Sequence, residues 1–164
     1  MAWVGSTVTT QVLSMLTAPK GLNACLLALA QAENLTAAPV GERQILAQNV
    51  SVELAERATD GLYPLVSVFC EKFVNQLKEK FRSFSGKAVM AIEIRVSQDQ
   101  LNGIQDQAQM YVEAVTQVLD QNRGDWGQGM YYGGGYEANL SAVKHGGRNF
   151  IQSGRVTFDV GVSE

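Results

Sequence analysis

Histidine, cysteine and proline are scarce in this 164-residue chain, which contains one, two and three of them respectively. The single histidine, His145, has no second imidazole and no nearby cysteine with which to complete a transition-metal site. Cys25 and Cys70 lie far apart in the sequence and outside any CxxC pair, so we expect two buried free thiols in a reducing compartment. The sequence therefore predicts no metal centre and no cofactor.

The sequence also lacks the short motifs that mark common catalytic sites. It has no glycine-rich loop followed by GKS or GKT, and no GxSxG nucleophile elbow. The segment KHGGRN (residues 144–149) could gather Lys144, His145 and Arg148 into a catalytic or phosphate-binding turn. We favour a tight turn before the last strand, in which the glycines supply positive φ. We expect that the protein is not an enzyme, and a small hydrolase using His145 stays a distant alternative.

Apolar runs are too short to predict a membrane span, which needs roughly 20 residues. The run LNACLLALAQA (residues 22–32) superficially resembles a signal segment or a lipoprotein processing site. However, no basic residue precedes Lys20, and the polar residues Gln31, Glu33 and Asn34 end the run. The sequence thus predicts a core helix in an intracellular protein, with no membrane partner.

Charge is sparse, and the net formal charge is −3. The local basic excess lies in five side chains interleaved with Glu71 and Glu79: Lys72, Lys78, Lys80, Arg82 and Lys87. A DNA-binding protein would normally show a stronger basic face, so we interpret this cluster as a solvated helix face.

Residues 96–122 carry four carboxylates and no basic side chain. Three of them, Asp106, Glu113 and Asp120, recur every seven residues on the polar side of a predicted helix. Carboxylates two turns apart are about 10 Å from each other and cannot share one cation. We expect them to contribute to solubility.

Hydrophobic periodicity predicts helices at the front of the chain and strands in its middle. Ser6 or Thr7 is expected to cap a helix that runs to Leu16, and a second helix is expected over residues 22–31, so that residues 1–33 form a helical hairpin. Strands are predicted near residues 45–54 and 63–70. The following segment, EKFVNQLKEKF, fits a helix or a strand, and its type stays open.

Later segments give clearer patterns. Residues 87–96 and 155–162 alternate apolar and polar side chains as half-buried strands do. Residues 100–122 show the three-to-four spacing of a helix, with a stripe formed by Ile104, Ala108, Tyr111, Val115, Val118 and Leu119. The expected fold is a single α+β domain over residues 1–164, with a mixed, mainly antiparallel sheet packed on one face by helices.

Half of the sixteen glycines fall between Gly124 and Gly147, interleaved with aromatic residues. So long a segment without secondary structure is uncommon in a compact domain, and ordering it costs roughly 1 to 2 kcal/mol per residue. Exposed aromatic rings could offset this cost by packing on a neighbouring protein. We therefore predict a projecting arm over residues 123–148. Its expected interface residues are Trp126, Tyr131, Tyr132, Tyr136, His145 and Arg148.

Three stretches, in their order along the chain, resemble proteins from the neck and tail modules of tailed bacteriophages. They are QILAQNVSVELAER, YPLVSVFCEKFVNQLKEKFRSFSGKAVMAIEIRVSQD and YVEAVTQVLDQNRGDWGQGMYYGGGYEANLSAVKHGGRNFIQSGRVTFDVGVS. Together they lie within residues 40–163, and the family that they resemble is the tail terminator, or tail-completion, family.

This resemblance implies a small α/β fold and a hexameric ring that caps the tail tube. The implied partners are other copies of the chain, the tail tube protein and the head–tail connector protein, with the sheath protein as a further candidate. DNA would pass through the lumen without specific binding, and the implied location is the virion after assembly in the host cytoplasm. The alternative is another structural component of the neck or tail: a head-completion stopper, or a tube or baseplate subunit.

Overall fold

The computed structural model describes residues 3–58, 61–146 and 148–164, and within them the chain forms four α-helices and eight strands. The helices are α1 Val4–Thr17, α2 Leu22–Glu33, α3 Val52–Ala58 and α4 Ile104–Gln121. The strands are β1 Ile45–Leu46, β2 Leu65–Asn75, β3 Ser85–Gln98, β4 Gly124–Gly127, β5 Met130–Tyr132, β6 Tyr136–Leu140, β7 Lys144–Gly146 and β8 Asn149–Ser163.

One sheet contains all of these strands, in the order β1-β2-β3-β8-β5-β4, with β6 and β7 also paired to β8. Only the short β1–β2 pair is parallel among the described pairs. Helix α1 packs on β2, α4 packs on β3 and β8, and α2 packs on α4. The predicted α+β class, with a mainly antiparallel sheet and helices packed on it, is confirmed.

The hydrophobic patterns of β3, α4 and β8 correctly predict which side chains form the core. In β3, Met90, Ile92, Ile94 and Val96 are buried, and every residue of the predicted α4 stripe is buried too. Alternate residues of β8 complete the layer: Val156, Phe158, Val160 and Val162. Gly154 permits the close contact of α4 with β8, because a Cβ there would collide with the Val112 side chain.

The N-terminal helices differ from the predicted hairpin. Helix α1 begins at Val4, and the Thr7 hydroxyl donates to the carbonyl oxygen of Trp3 at 3.0 Å instead of capping the helix. The chain bends by 44° between α1 and α2, far less than the near reversal that a hairpin over residues 1–33 requires. Among the described residues no single helix is long and apolar enough to cross a membrane, although this bent pair has the required length and composition when taken together.

The predicted strand near residues 45–54 is mostly wrong. Only Ile45–Leu46 pairs as a strand, and Val52–Ala58 forms helix α3, in which Ala55 is fully buried. Alternation of apolar residues in so short a segment does not separate a strand from one side of a short helix.

Residues 123–148, predicted to project as an arm, instead lie along β8. On one side β8 pairs with β3 from Gln98 to Ser85. On its other side it pairs successively with β7, β6 and β5, while β4 forms a hairpin with β5. Strands β5, β6 and β7 together act as one composite partner strand, because each forms backbone hydrogen bonds with a different part of β8. Gly147 lies outside the described residues, and a turn at Arg148 leads from β7 into β8.

Candidate functional site

Two of the predicted interface residues pack against the core, where Tyr132 is buried and Trp126 is half-buried. Tyr132 is 1% exposed, and its ring lies 5.5 Å from Trp126 and 5.5 Å from Phe158. The Trp126 indole donates a hydrogen bond to the carbonyl oxygen of Asn122 at 2.6 Å. Burial, reinforced by the Asp120 carboxylate, raises the pKa of Tyr132 to about 12. Trp126 and Tyr132 therefore attach the glycine-rich segment to the core, contrary to the prediction.

The other four predicted residues are exposed, but they fall in two separate places. Tyr131 is 59% exposed and, with Tyr136, lines a shallow groove of about 640 Å³ on the sheet. His145 and Arg148 are exposed near the beginning of β8, where the His145 ring lies edge-on to Phe150 at 5.7 Å. Because Tyr131 pairs with Gly161 and His145 with Phe150, the two places are about 35 Å apart along β8.

Three strongly exposed apolar side chains lie instead at the junction of β2 and β3. We call residues 71–83 the β2–β3 tip. A β-bulge interrupts the pairing between Cys70 and Lys72, and all residues from Glu71 to Asn75 are exposed beyond it. Phe73 is 60% exposed, Leu77 is 66% exposed and Phe81 is wholly exposed.

The β2–β3 tip is held in place by hydrogen bonds at its base. The Asn75 amide oxygen accepts from the backbone N–H groups of Leu77 at 3.2 Å and Ser85 at 3.0 Å, and its NH₂ group donates to the Ser83 carbonyl oxygen at 3.1 Å. Leu77 and Phe81 have positive φ angles of 48° and 67°, which bulky residues rarely adopt. The loop is thus built to present its apolar side chains to the outside.

The same tip carries most of the basic cluster, which is therefore on a strand end and a loop instead of the predicted helix face. Arg82 forms an ion pair with Glu79 at 3.3 Å, and Glu71 pairs with Arg155. Within the part of the chain that the structure describes, Lys72, Lys78 and Lys80 form no ion pair. The tip is therefore an apolar surface with unpaired positive charge around it.

The sequence contains a signal for this surface. The apolar residues Phe73, Val74, Leu77 and Phe81 have near-helical spacing, but no helix forms there to bury one side. Two well-patterned strands, 63–70 and 87–96, bracket the segment. A hairpin between them would have placed the bulky residues in its exposed connection.

A second surface of opposite charge lies between α2 and α4. It is a groove of about 450 Å³, which we call the α2–α4 groove. Its lining consists of Leu29, Glu33, Leu35, Asp106, Gln109, Met110 and Glu113. The lining thus combines three carboxylates with three apolar side chains, and it includes no basic residue.

The three acidic residues of α4 are all exposed, but they have different surroundings. Asp106 and Glu113 line the α2–α4 groove, and Glu113 accepts a hydrogen bond from the Gln109 amide at 2.9 Å. Asp120 lies outside the groove lining and forms an ion pair with Arg123 at 2.7 Å.

A charged network occupies the face of the sheet opposite to α4. The buried Arg95 guanidinium donates to the Glu93 carboxylate at 2.8 Å and to the Val50 carbonyl oxygen at 3.1 Å. Arg155 lies 4.0 Å from Glu93 and stacks over the Phe69 ring at 5.7 Å. These contacts tie the segment before α3 to β3 and β8, which is a structural role.

The two cysteines are free, as predicted, but only Cys25 is buried, while Cys70 is half-buried. Burial raises the pKa of both thiols, which keeps them protonated. In residues 3–58, 61–146 and 148–164, no three His, Cys, Asp or Glu side chains lie close enough together to hold a metal ion. No protein-family model and no curated protein sequence matches this chain.

Proposed function

We propose that this protein is a structural subunit that forms a closed ring and terminates the tail tube of a tailed bacteriophage. The observation that carries the proposal is the exposed apolar surface of the β2–β3 tip, formed by Phe73, Leu77 and Phe81 on a hydrogen-bonded loop. Bulky apolar side chains that stay exposed within one short segment favour a site of protein association. The resemblance of residues 40–163 to the tail terminator family supports the choice of this assembly.

In this proposal, the chain acts through its surfaces and not through catalysis. Its partners are other copies of itself, forming a hexamer, together with the tail tube protein, the head–tail connector protein and, as a further candidate, the sheath protein. The ring is assembled in the host cytoplasm and becomes part of the virion.

The charge distribution constrains how such a ring would be oriented. DNA passing through the lumen must not be held, and contacts to phosphates supply most non-specific affinity for DNA. Lys72, Lys78 and Lys80 carry unpaired positive charge at the β2–β3 tip, so a lumen lined by this tip would retain DNA. We therefore place the tip at a protein contact, away from the lumen.

The first experiment measures mass by native mass spectrometry. We expect a species of six times the 17.8 kDa protomer mass. The second experiment adds the protein to purified tail tubes that lack it and locates it by negative-stain electron microscopy, where we expect density at one tube end. A chain that stays monomeric at high concentration and binds no tube end contradicts the proposal.

The main alternative is another structural component of the neck or tail. A head-completion stopper would bind rings from the portal side, and a tube or baseplate subunit would add along the tube or at its distal end. Binding assays with purified connector rings and tail tubes therefore separate these roles. For the hydrolase alternative, His145→Ala tests the imidazole, because an assembly subunit should tolerate its loss.

A further inference from the structure

We propose that the α2–α4 groove of one copy receives the β2–β3 tip of the next copy, which rests on the ring assembly proposed above. The inference specifies the two surfaces that meet at each subunit contact. A second copy is the occupant because the two surfaces are complementary in charge and in polarity, and both are present on every copy.

The complementarity is visible in the side chains. The tip presents Leu77 and Phe81 next to the unpaired Lys78 and Lys80, while Arg82 is already paired with Glu79. The groove presents apolar residues among three carboxylates: Leu29, Leu35 and Met110 with Glu33, Asp106 and Glu113. Apolar side chains would meet apolar side chains, and lysines would meet carboxylates at the rim, as in protein interfaces with an apolar centre and a polar border.

The tip cannot occupy the groove of its own chain. The tip lies just before Ser85, the first residue of β3. Helix α4 begins at Ile104, after the last residue of β3, Gln98. The start of α4 is fixed at that far end, because Gln152, the partner of Val96, donates a hydrogen bond to Gln105. The length of β3 separates the two ends by about 40 Å. Docking must therefore occur between copies.

This geometry gives the contact a direction. One surface meets a different surface on the neighbour, which makes the interface heterologous, and repeated heterologous contacts close into a ring or extend as a filament. A single type of contact is thus enough to build the proposed ring.

The test uses two full-length variants that each remove one surface. Phe81→Ser removes the apolar tip side chain, and Asp106→Lys with Glu113→Lys reverses the charge of the groove. Each variant alone should stay monomeric, with association at least about tenfold weaker than that of the wild type. Leu27→Ser is the matched control, because Leu27 is an exposed apolar residue outside the groove lining. The Leu27→Ser protein should still assemble into the oligomeric ring.

An equimolar mixture of the two variants gives the sharpest readout. The intact groove of the Phe81→Ser chain can bind the intact tip of the charge-reversed chain. The pair cannot add another copy, because its remaining tip lacks Phe81 and its remaining groove has reversed charge. Native mass spectrometry should therefore show a heterodimer and no ring. Combining Lys78→Glu and Lys80→Glu with the reversed groove in one chain should restore the ring, which also shows that the reversed groove is compatible with folding.

Rings that persist in either variant, or a mixture that stays monomeric, would overturn the tip–groove contact and leave the proposed ring function standing. A wild-type chain that never forms a ring overturns both.

Discussion

The glycine-rich segment, residues 123–148, and the β2–β3 tip, residues 71–83, exchange the roles that their sequences suggest. The first is rich in glycine and aromatic residues, yet it lies along β8 and buries Tyr132. The second has near-helical spacing, yet it leaves Phe81 wholly exposed. Exposure in both segments depends on what packs against each one in the folded chain, and neither composition nor spacing alone predicts it. One side of β8 needs backbone partners, and β5, β6 and β7 supply them, whereas residues 76–83 of the tip lie outside the strands.

The largest expected effect tests whether Tyr132 anchors the glycine-rich segment. Tyr132→Ala should lower the free energy of unfolding by about 3 to 5 kcal/mol, because it leaves a cavity between Trp126 and Phe158. Urea denaturation measures the change. The control is Tyr131→Ala at the exposed neighbouring position, which should change stability by less than about 0.5 kcal/mol. Equal effects of the two substitutions would mean that the segment does project.

A smaller effect is expected at the turn between β4 and β5. Gly129 has a φ of +74°, its carbonyl oxygen accepts from Ser163 N–H at 2.9 Å, and a Cβ there would collide with the Ser163 carbonyl oxygen. Gly129→Ala should therefore destabilise the protein by roughly 1 to 3 kcal/mol. Gly133→Ala, where a Cβ meets no atom within 4 Å, serves as its control in thermal unfolding. If the two variants unfold alike, β5 does not lie against β8.

A pH dependence sharpens the assignment of Tyr132 to the core. Its pKa is raised from 10 to about 12, so the folded state keeps the phenol proton that the unfolded state loses. The corresponding stability is fully present below pH 10 and is lost as the pH rises to about 12. Tyr132→Phe should remove the part of the stability loss that comes from ionisation of the Tyr132 phenol. Urea unfolding curves of the wild type and of Tyr132→Phe, measured between pH 10 and about pH 12, test this. Parallel curves for both would contradict the buried position.

The smallest effect on stability is expected at the β2–β3 tip. Phe81→Ser should change the free energy of unfolding of the dilute monomer by no more than about 0.5 kcal/mol, because the Phe81 side chain is wholly exposed and packs against little of its own chain. The same substitution is expected to abolish ring formation. A marked loss of stability in the monomer would show that Phe81 packs within its own chain, and the contrast between the two segments would then disappear.

Hydrophobic periodicity was enough to predict the core layers of this protein. Two-residue alternation in β3 and β8 and three-to-four spacing in α4 arise directly from which side chains must leave water, so those side chains could be named in advance. Local patterns were insufficient for α3, where seven residues are too few to reveal a period. They were also insufficient for the bend between α1 and α2, which depends on how the helices meet α4 and the sheet.

Which surfaces remain for partners depends on long-range packing, which local patterns do not report. The positions of Trp126 and Tyr132 depend on β8 accepting the glycine-rich segment, and β8 follows that segment in the chain. The α2–α4 groove combines residues from two helices about seventy positions apart, which no local pattern connects. Periodicity reports the side of an element that is buried, while long-range strand pairing and helix packing determine what stays exposed.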